Sequence, residues 1–213
     1  MQQLDDQILL FVNSLHNEYF DFVMWNISSK WLWIPFYISL AWLVWKRFGW
    51  KGLGIVLAAV GLTFAVTDHF SIQVFRSIFS RMRPSNPDNP IAPFVHIVNG
   101  YRSGYYGFPS AHAANTAGLA VILSLFFKDR RQTLMLAAWV VLVCYSRMYL
   151  GVHYLGDLLA GAFFGAVIAC TVYYVSRLLP WKISATKCDK RVAMIPALVC
   201  MATVLGICIF GFF

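Results

Sequence analysis

The sequence predicts an all-α integral membrane bundle of about six transmembrane helices, preceded by interfacial helices at the N-terminus. Three observations predict it. Hydrophobic residues make up 60% of the 213-residue chain and charged residues 12%, with a mean hydropathy of +0.65, far from a soluble average. Apolar segments near 31–45, 52–70, 111–127, 133–150, 154–176 and 192–213 meet or approach the ~20 residues that cross a bilayer core. Lipid offers no partners to open backbone groups, so such segments must be helices. The length has room for one domain, residues 1–213.

Residues 7–28 are apolar but carry Asn13, His16, Asn17, Glu18 and Asp21. They read as interfacial helices within an N-terminal segment 1–30, with a short extra span as the other reading. Trp25, Trp31, Trp33, Trp45 and Trp50 flank the first span as an aromatic belt. The second span ends near Asp68-His69, and a helical piece over 70–82 stops at Pro84. Residues 84–108, with four prolines and three glycines, form a long outer-face loop, the kind that covers or binds. The third span opens at Pro109-Ser110. Gly161 and Gly165 form a Gly-x-x-x-Gly pair suited to close helix contact.

The net charge of +8 does not read as a nucleic-acid surface, because no aromatic-interleaved basic face exists. Lys and Arg instead cluster between spans. The loops 46–51, 128–132 and 177–191 hold 11 of the 17, which makes theirs the cytoplasmic side. The opposite side holds all five histidines and seven of the nine acids, so chemistry is expected at the outer (periplasmic or extracellular) face. Cys144, Cys170, Cys200 and Cys208 fall in apolar spans and Cys188 in a basic loop. They read as small hydrophobes, with neither metal-type nor disulfide spacing.

Three clusters share that outer face. Arg76 and Arg83 are seven residues apart, nearly two turns, so both project from one face of the expected helix. Paired guanidinium groups suit phosphate oxygens, although a face solvated by headgroups has the same pattern. Ser110 can cap the third span, so that its hydroxyl and the amides of Ala111 and His112 meet an anion at a helix start. His112 could then protonate a leaving oxygen. His153 and Asp157, spaced i, i+4, meet on one face; the carboxylate would set the imidazole tautomer and leave the other nitrogen as nucleophile. Arg147 adds a cation at the end of the fourth span. Ionisable residues near membrane depth are costly and mark function.

Arg76-x6-Arg83-Pro84, Pro109-Ser110-Ala111-His112 and Ser146-Arg147-x5-His153-x3-Asp157 resemble, in order and spacing, the three-part signature of the type 2 phosphatidic-acid phosphatase superfamily, which also contains the vanadium haloperoxidases. Arg76 stands where that family usually has Lys, and Ala111 where it has Gly. The resemblance implies a metal-independent lipid phosphatase or diphosphatase without cofactor. His153 would attack phosphorus and Asp157 would steady the imidazolium. Arg76, Arg83, Ser110, Ala111 and Arg147 would bind the oxygens, and His112 would serve as acid and then base.

Asp68 and His69 read either as support for the arginines or as a plain interfacial pair. Arg102 and Tyr106, with Tyr101 and Tyr105, read either as headgroup contacts or as interfacial anchors. Site placement implies a lipid phosphate substrate within the bilayer; no protein partner is expected. Undecaprenyl diphosphate is the first choice, with lipid A and phosphatidylglycerol phosphate as alternatives. A non-hydrolytic anion or lipid transporter is the rival of another class.

Overall fold

The computed structural model describes residues 2–69, 74–178, 186 and 189–212. Among them run eight α-helices and no strand: α1 (Gln2–Asn13), α2 (Glu18–Ser28), α3 (Ile34–Asp68), α4 (Arg76–Phe79), α5 (Ala111–Phe127), α6 (Arg130–Tyr149), α7 (Leu155–Leu178) and α8 (Lys190–Phe210).

Helices α1 and α2 have 12 and 11 residues. At ~1.5 Å per residue each is too short to cross ~30 Å of hydrocarbon, so residues 7–28 form no single span. Asn17 caps α2 by accepting from the Phe20 amide (2.9 Å). Leu9, Val12, Val23 and Ile27 are buried where α1 and α2 pack on α6.

Helix α3 is broken at Gly49, whose φ of +68° is a conformation glycine adopts without a Cβ penalty. Its two arms fold back on each other: Val44 and Val56 line one cavity, which Lys30 and Asp68 reach at the far end. These arms are the two segments expected at 31–45 and 52–70. By length and composition, α3, α7 and Arg191–Phe210 of α8 can cross a membrane, and α5 is a shorter apolar helix. Helix α6, which begins at Arg130-Arg131 and carries Arg147 near its end, falls outside that set. The expected count of six is therefore not established.

The described residues of the three basic loops gather at one end. Thr186 donates its amide to the Arg47 carbonyl (2.9 Å), Gln132 bonds to the Ala193 carbonyl, and Phe48 stacks on Phe127. At the opposite end, Thr67 and Asp68 of α3 bond to Asn115 of α5. Trp31 and Trp50 are exposed, as a belt requires. Trp33 is not: it lies in the core against Trp139 and donates to the Ile27 carbonyl (2.9 Å).

Helices α5 and α7 make the most extensive pairing. Gly161 and Gly165 face the backbone of Ser110 and Ala114, where a Cβ would collide. Loop 84–108 is held by side chain–backbone bonds. Asn13 of α1 donates to the carbonyls of His96 (3.0 Å) and Tyr149 (2.7 Å) and accepts from the His96 amide (2.7 Å).

Candidate active site

The site is built around the turn between α6 and α7. Gly151, with φ +67°, bends the chain out of α6, and α7 begins only at Leu155. His153 thus precedes the helix, so His153 and Asp157 do not share a helix face as their spacing suggested. They meet because Asp157 Oδ2 accepts from the Tyr154 amide (3.1 Å) and so lies 3.5 Å from His153 Nδ1.

The other imidazole nitrogen, Nε2, is 2.7 Å from Arg83 Nη1, which also donates to the Val152 carbonyl (2.9 Å). Arginine only donates, so Nε2 must present its lone pair and the ring proton sits on Nδ1, toward Asp157. Burial, followed by the charges of Arg83 and Arg147, keeps this imidazole neutral well below the ordinary histidine range.

Arg76 and Arg83 reach the same cavity, but not from one helix. Helix α4 ends at Phe79, where Ser80 turns left-handed with φ +44°; Arg83 follows in the loop. The piece expected over 70–82 is α-helical at 76–79, and residues 70–73 lie outside the description. Burial and then the Arg76 and Arg147 charges pull Arg83 down to about 10, still cationic at neutral pH. Burial lowers Arg76 against the opposing pull of Asp68. Arg147, buried, donates to the Ser28 hydroxyl, and its guanidinium lies 5.7 Å from the Tyr101 ring centroid. The Nε atoms of Arg76, Arg83 and Arg147 are buried without a partner among the described residues, a state that costs free energy until an acceptor arrives.

Ser110 caps α5 as expected, accepting from the Ala113 amide (3.4 Å), while its own amide donates to the Asp157 carbonyl (3.0 Å). Its side chain is fully buried, whereas Ala111 and His112 line the cavity. Asp68 lines it too and accepts from Asn115 Nδ2 (2.9 Å). His69 caps the end of α3 and is not among the lining residues. Arg102 is turned onto Ser85, donating to its carbonyl (2.7 Å). Tyr106 pairs with Met82 and packs on Tyr105. Arg102 and Tyr106 therefore hold the loop rather than face the cavity.

Four residues join the site that motif spacing alone did not mark. Lys30 and Asn115 line the cavity. Gly107 packs on the His153–Asp157 pair, and Arg81 pairs with Asp157 Oδ1 (2.8 Å). Asn115 lies three residues after His112 on α5, a helical spacing that could have found it; Lys30, Gly107 and Arg81 arrive through loops, which no period marks.

From this cationic end the cavity, about 760 Å³, runs between the two arms of α3 and helices α5 and α6. Its deeper walls are apolar, including Leu40, Val60, Leu123 and Trp139. A pocket with a charged mouth and an apolar interior suits an amphiphile.

Residues 51–181 match the family model described as the PAP2 superfamily. The chain is 40% identical over 179 residues to a lipid A 4'-phosphatase of Bacteroides thetaiotaomicron, covering 84% of this chain and 80% of that one. It is 32% identical over 174 residues to a lipid A 4'-phosphatase of Porphyromonas gingivalis, covering 81% and 73%. Its fold resembles the crystal structure of a transmembrane PAP2-type phosphatidylglycerolphosphate phosphatase from Bacillus subtilis, with TM-score 0.61, 22% identity, and 85% and 89% of the two chains covered. With the family matched over most of the chain, it belongs to the PAP2 superfamily and is an integral membrane lipid phosphatase, a phosphoric monoester hydrolase.

Proposed function

We propose that this phosphatase removes a phosphomonoester from lipid A, the 4'-phosphate, at the outer face of the membrane. The identity shared with two lipid A 4'-phosphatases over four-fifths of the chain carries the substrate choice. For that reason undecaprenyl diphosphate, the first choice from sequence, gives way to lipid A. The apolar depth of the cavity would take an acyl chain while the phosphate stays at its cationic mouth. Segregation of the basic loops at the other end supports an outward-facing site.

The chemistry follows from the placed groups. His153 Nε2 attacks phosphorus as Arg83 swings from that nitrogen to a phosphate oxygen. The N–P bond forms and the P–O bond to the sugar breaks, with His112 giving a proton to the departing oxygen. Asp157 accepts from Nδ1–H and balances the imidazolium charge. Arg76, Arg83, Arg147 and the Ala111–His112 helix start hold the oxygens as charge builds. Water then attacks the phosphohistidine and gives its proton to His112; N–P cleavage restores His153 and frees inorganic phosphate.

Phosphate release in detergent with EDTA present tests this, using bisphosphorylated lipid A, phosphatidylglycerol phosphate and undecaprenyl diphosphate beside His153→Ala. Lipid A should be preferred, with mass spectrometry locating the loss at the 4' position, and the variant should be silent. Preference for either other lipid would overturn the substrate, and release by His153→Ala would overturn the nucleophile. Phosphate flux into vesicles without hydrolysis would instead support a transporter.

A further inference from the structure

The phosphatase chemistry above uses Asp157 but leaves its second oxygen unexplained. That oxygen, Oδ1, accepts from Arg81 Nη1 (2.8 Å). The other arm of the same guanidinium, Nη2, donates to Asp5 Oδ2 (2.7 Å) and Gln2 Oε1 (2.8 Å) on α1. Asp5 Oδ1 in turn accepts from the Gly156 amide (3.1 Å), beside Asp157 in the chain. The guanidinium carbon of Arg81 lies 4.2 Å from the centroid of the Tyr154 ring, which limits its movement. Gly156 leaves room for this approach: a Cβ there would sit 2.7 Å from Asp5 Oδ2 and 3.2 Å from Arg81 Nη1.

We infer that Arg81 and Asp5 are positioning residues that act through Asp157, so that the first turns of α1 form part of the working active site. The inference rests on the assignment of His153 and Asp157 made above. Arg81 holds the carboxylate rotamer in which Oδ2 faces His153 Nδ1. Its forked donors suit two carboxylates at once, and Asp5 matters because of charge. One arginine bonded to Asp157 alone would draw most of that carboxylate's field away from the imidazole. Shared between two carboxylates, it fixes Asp157 while leaving negative charge for the imidazolium that forms during phosphoryl transfer. Asp5 and Gln2 lie outside residues 51–181, the part matching the family model, so this bracing comes from the chain's own N-terminal helix.

The test is steady-state phosphate release from lipid A in detergent by Arg81→Ala, Arg81→Lys, Asp5→Asn and Gly156→Ala, with vanadate inhibition and thermal midpoints measured alongside. Partners that orient a working imidazole from behind are worth on the order of 10–100-fold. Arg81→Ala should lose about that much in kcat, with KM and vanadate inhibition within about threefold of wild type, because the phosphate cradle is untouched. Arg81→Lys should recover most of the loss by restoring a donor to Asp157. Asp5→Asn and Gly156→Ala should lower kcat in the same selective way, by about 5–20-fold.

A folded Arg81→Ala with kcat within about threefold of wild type would overturn the inference, as would a loss expressed only in KM. If Arg81→Ala does not fold, Asp5→Asn decides alone, and wild-type kcat in that variant would overturn it. His153→Ala separates the two levels. Activity in that variant sinks the active-site assignment itself, whereas a silent His153→Ala beside fully active Asp5 and Arg81 variants sinks only the bracing.

Discussion

Gly107 lies against Asp157 with no space for a methyl group. A Cβ at residue 107 would sit 3.1 Å from Asp157 Oδ2, 3.1 Å from Arg83 Cγ and 3.5 Å from His153 Nδ1. The Gly107 amide also donates to the Arg81 carbonyl (2.9 Å), so the loop before α5 cannot retreat freely. In Gly107→Ala the carboxylate or the imidazole must shift by a few tenths of an ångström. Misplacement of that kind should lower kcat by roughly 10-fold, with a thermal midpoint close to wild type. Wild-type kcat in a folded Gly107→Ala would show that the pair tolerates displacement.

Asp157→Asn tests the tautomer directly. The amide would offer an N–H either to Arg81 or to His153 Nδ1, and both are donors in the present arrangement. The imidazole would be driven toward the tautomer whose proton sits on Nε2, the nitrogen that must attack. A carboxylate-to-amide change behind a working histidine costs on the order of 10²–10⁴-fold in kcat. Single-turnover measurement should locate the loss in phosphoenzyme formation. Slow hydrolysis of a normally formed phosphoenzyme would place the role of Asp157 later.

The buried neutral His153 also makes a statement about stability. Its folded pKa is depressed below the ordinary 6.5 by burial first and by Arg83 and Arg147 next. As pH falls through 6.5, the unfolded chain takes up a proton there and the folded chain does not. Folding stability from this group is therefore fully present above 6.5 and is lost as pH falls below it. The slope is at most about 1.4 kcal/mol per pH unit. Between about pH 7 and about pH 5 the thermal midpoint of the detergent-solubilised protein should fall more steeply than that of His153→Gln, which lacks this group. Identical slopes in the two proteins would contradict a buried neutral imidazole.

Gly165 fixes how closely α7 can approach α5. A Cβ there would collide with the backbone of Ala114, one turn into the helix that carries His112. Gly165→Ala should destabilise the protein by about 1–3 kcal/mol through overpacking. Ala111 and His112 would move away from Asp157, whose carbonyl is tied to the Ser110 amide. Both the thermal midpoint and kcat should fall. A change in Gly54→Ala, where the added Cβ meets nothing within 4 Å, should be small by comparison.

Much of this arrangement was legible in the residues, for identifiable reasons. Ser110 caps α5, and Gly161 and Gly165 mark the tight helix pair, because caps and small-residue spacings act over one or two turns. His153 and Asp157 meet at i, i+4 even though the helix starts between them, since the carboxylate caps the turn. Arg76 and Arg83 illustrate the limit. Their spacing suggested one helix face, but Ser80 turns left-handed, and the two converge through the shape of the loop instead. Asp5, Arg81 and Gly107 were invisible as site residues because α1, the 81–83 segment and the α7 start meet only after the bundle packs. Trp33 failed as a belt residue for the same reason: α6 brings Trp139 over it, and no feature of residues 31–50 announces that.

The orientation of the site can be read independently of catalysis. Pro90, in loop 84–108, and Arg130, at the start of α6, are both exposed, and they lie at opposite ends of the bundle. Arg130 adjoins Gln132, which bonds to Ala193 of α8, whereas the Pro90 loop is tied through Asn89 to Arg83 and Tyr154 at the active site. In a background with Cys188 replaced by serine, Pro90→Cys should react with an impermeant maleimide added to intact cells. Arg130→Cys should react only after the membrane is opened. That pattern puts the phosphate cradle where outer-leaflet lipid A can enter it. The reverse pattern would turn the cradle toward the cytoplasm and restrict the substrate to lipids of the inner leaflet, whatever the phosphatase assay shows in detergent.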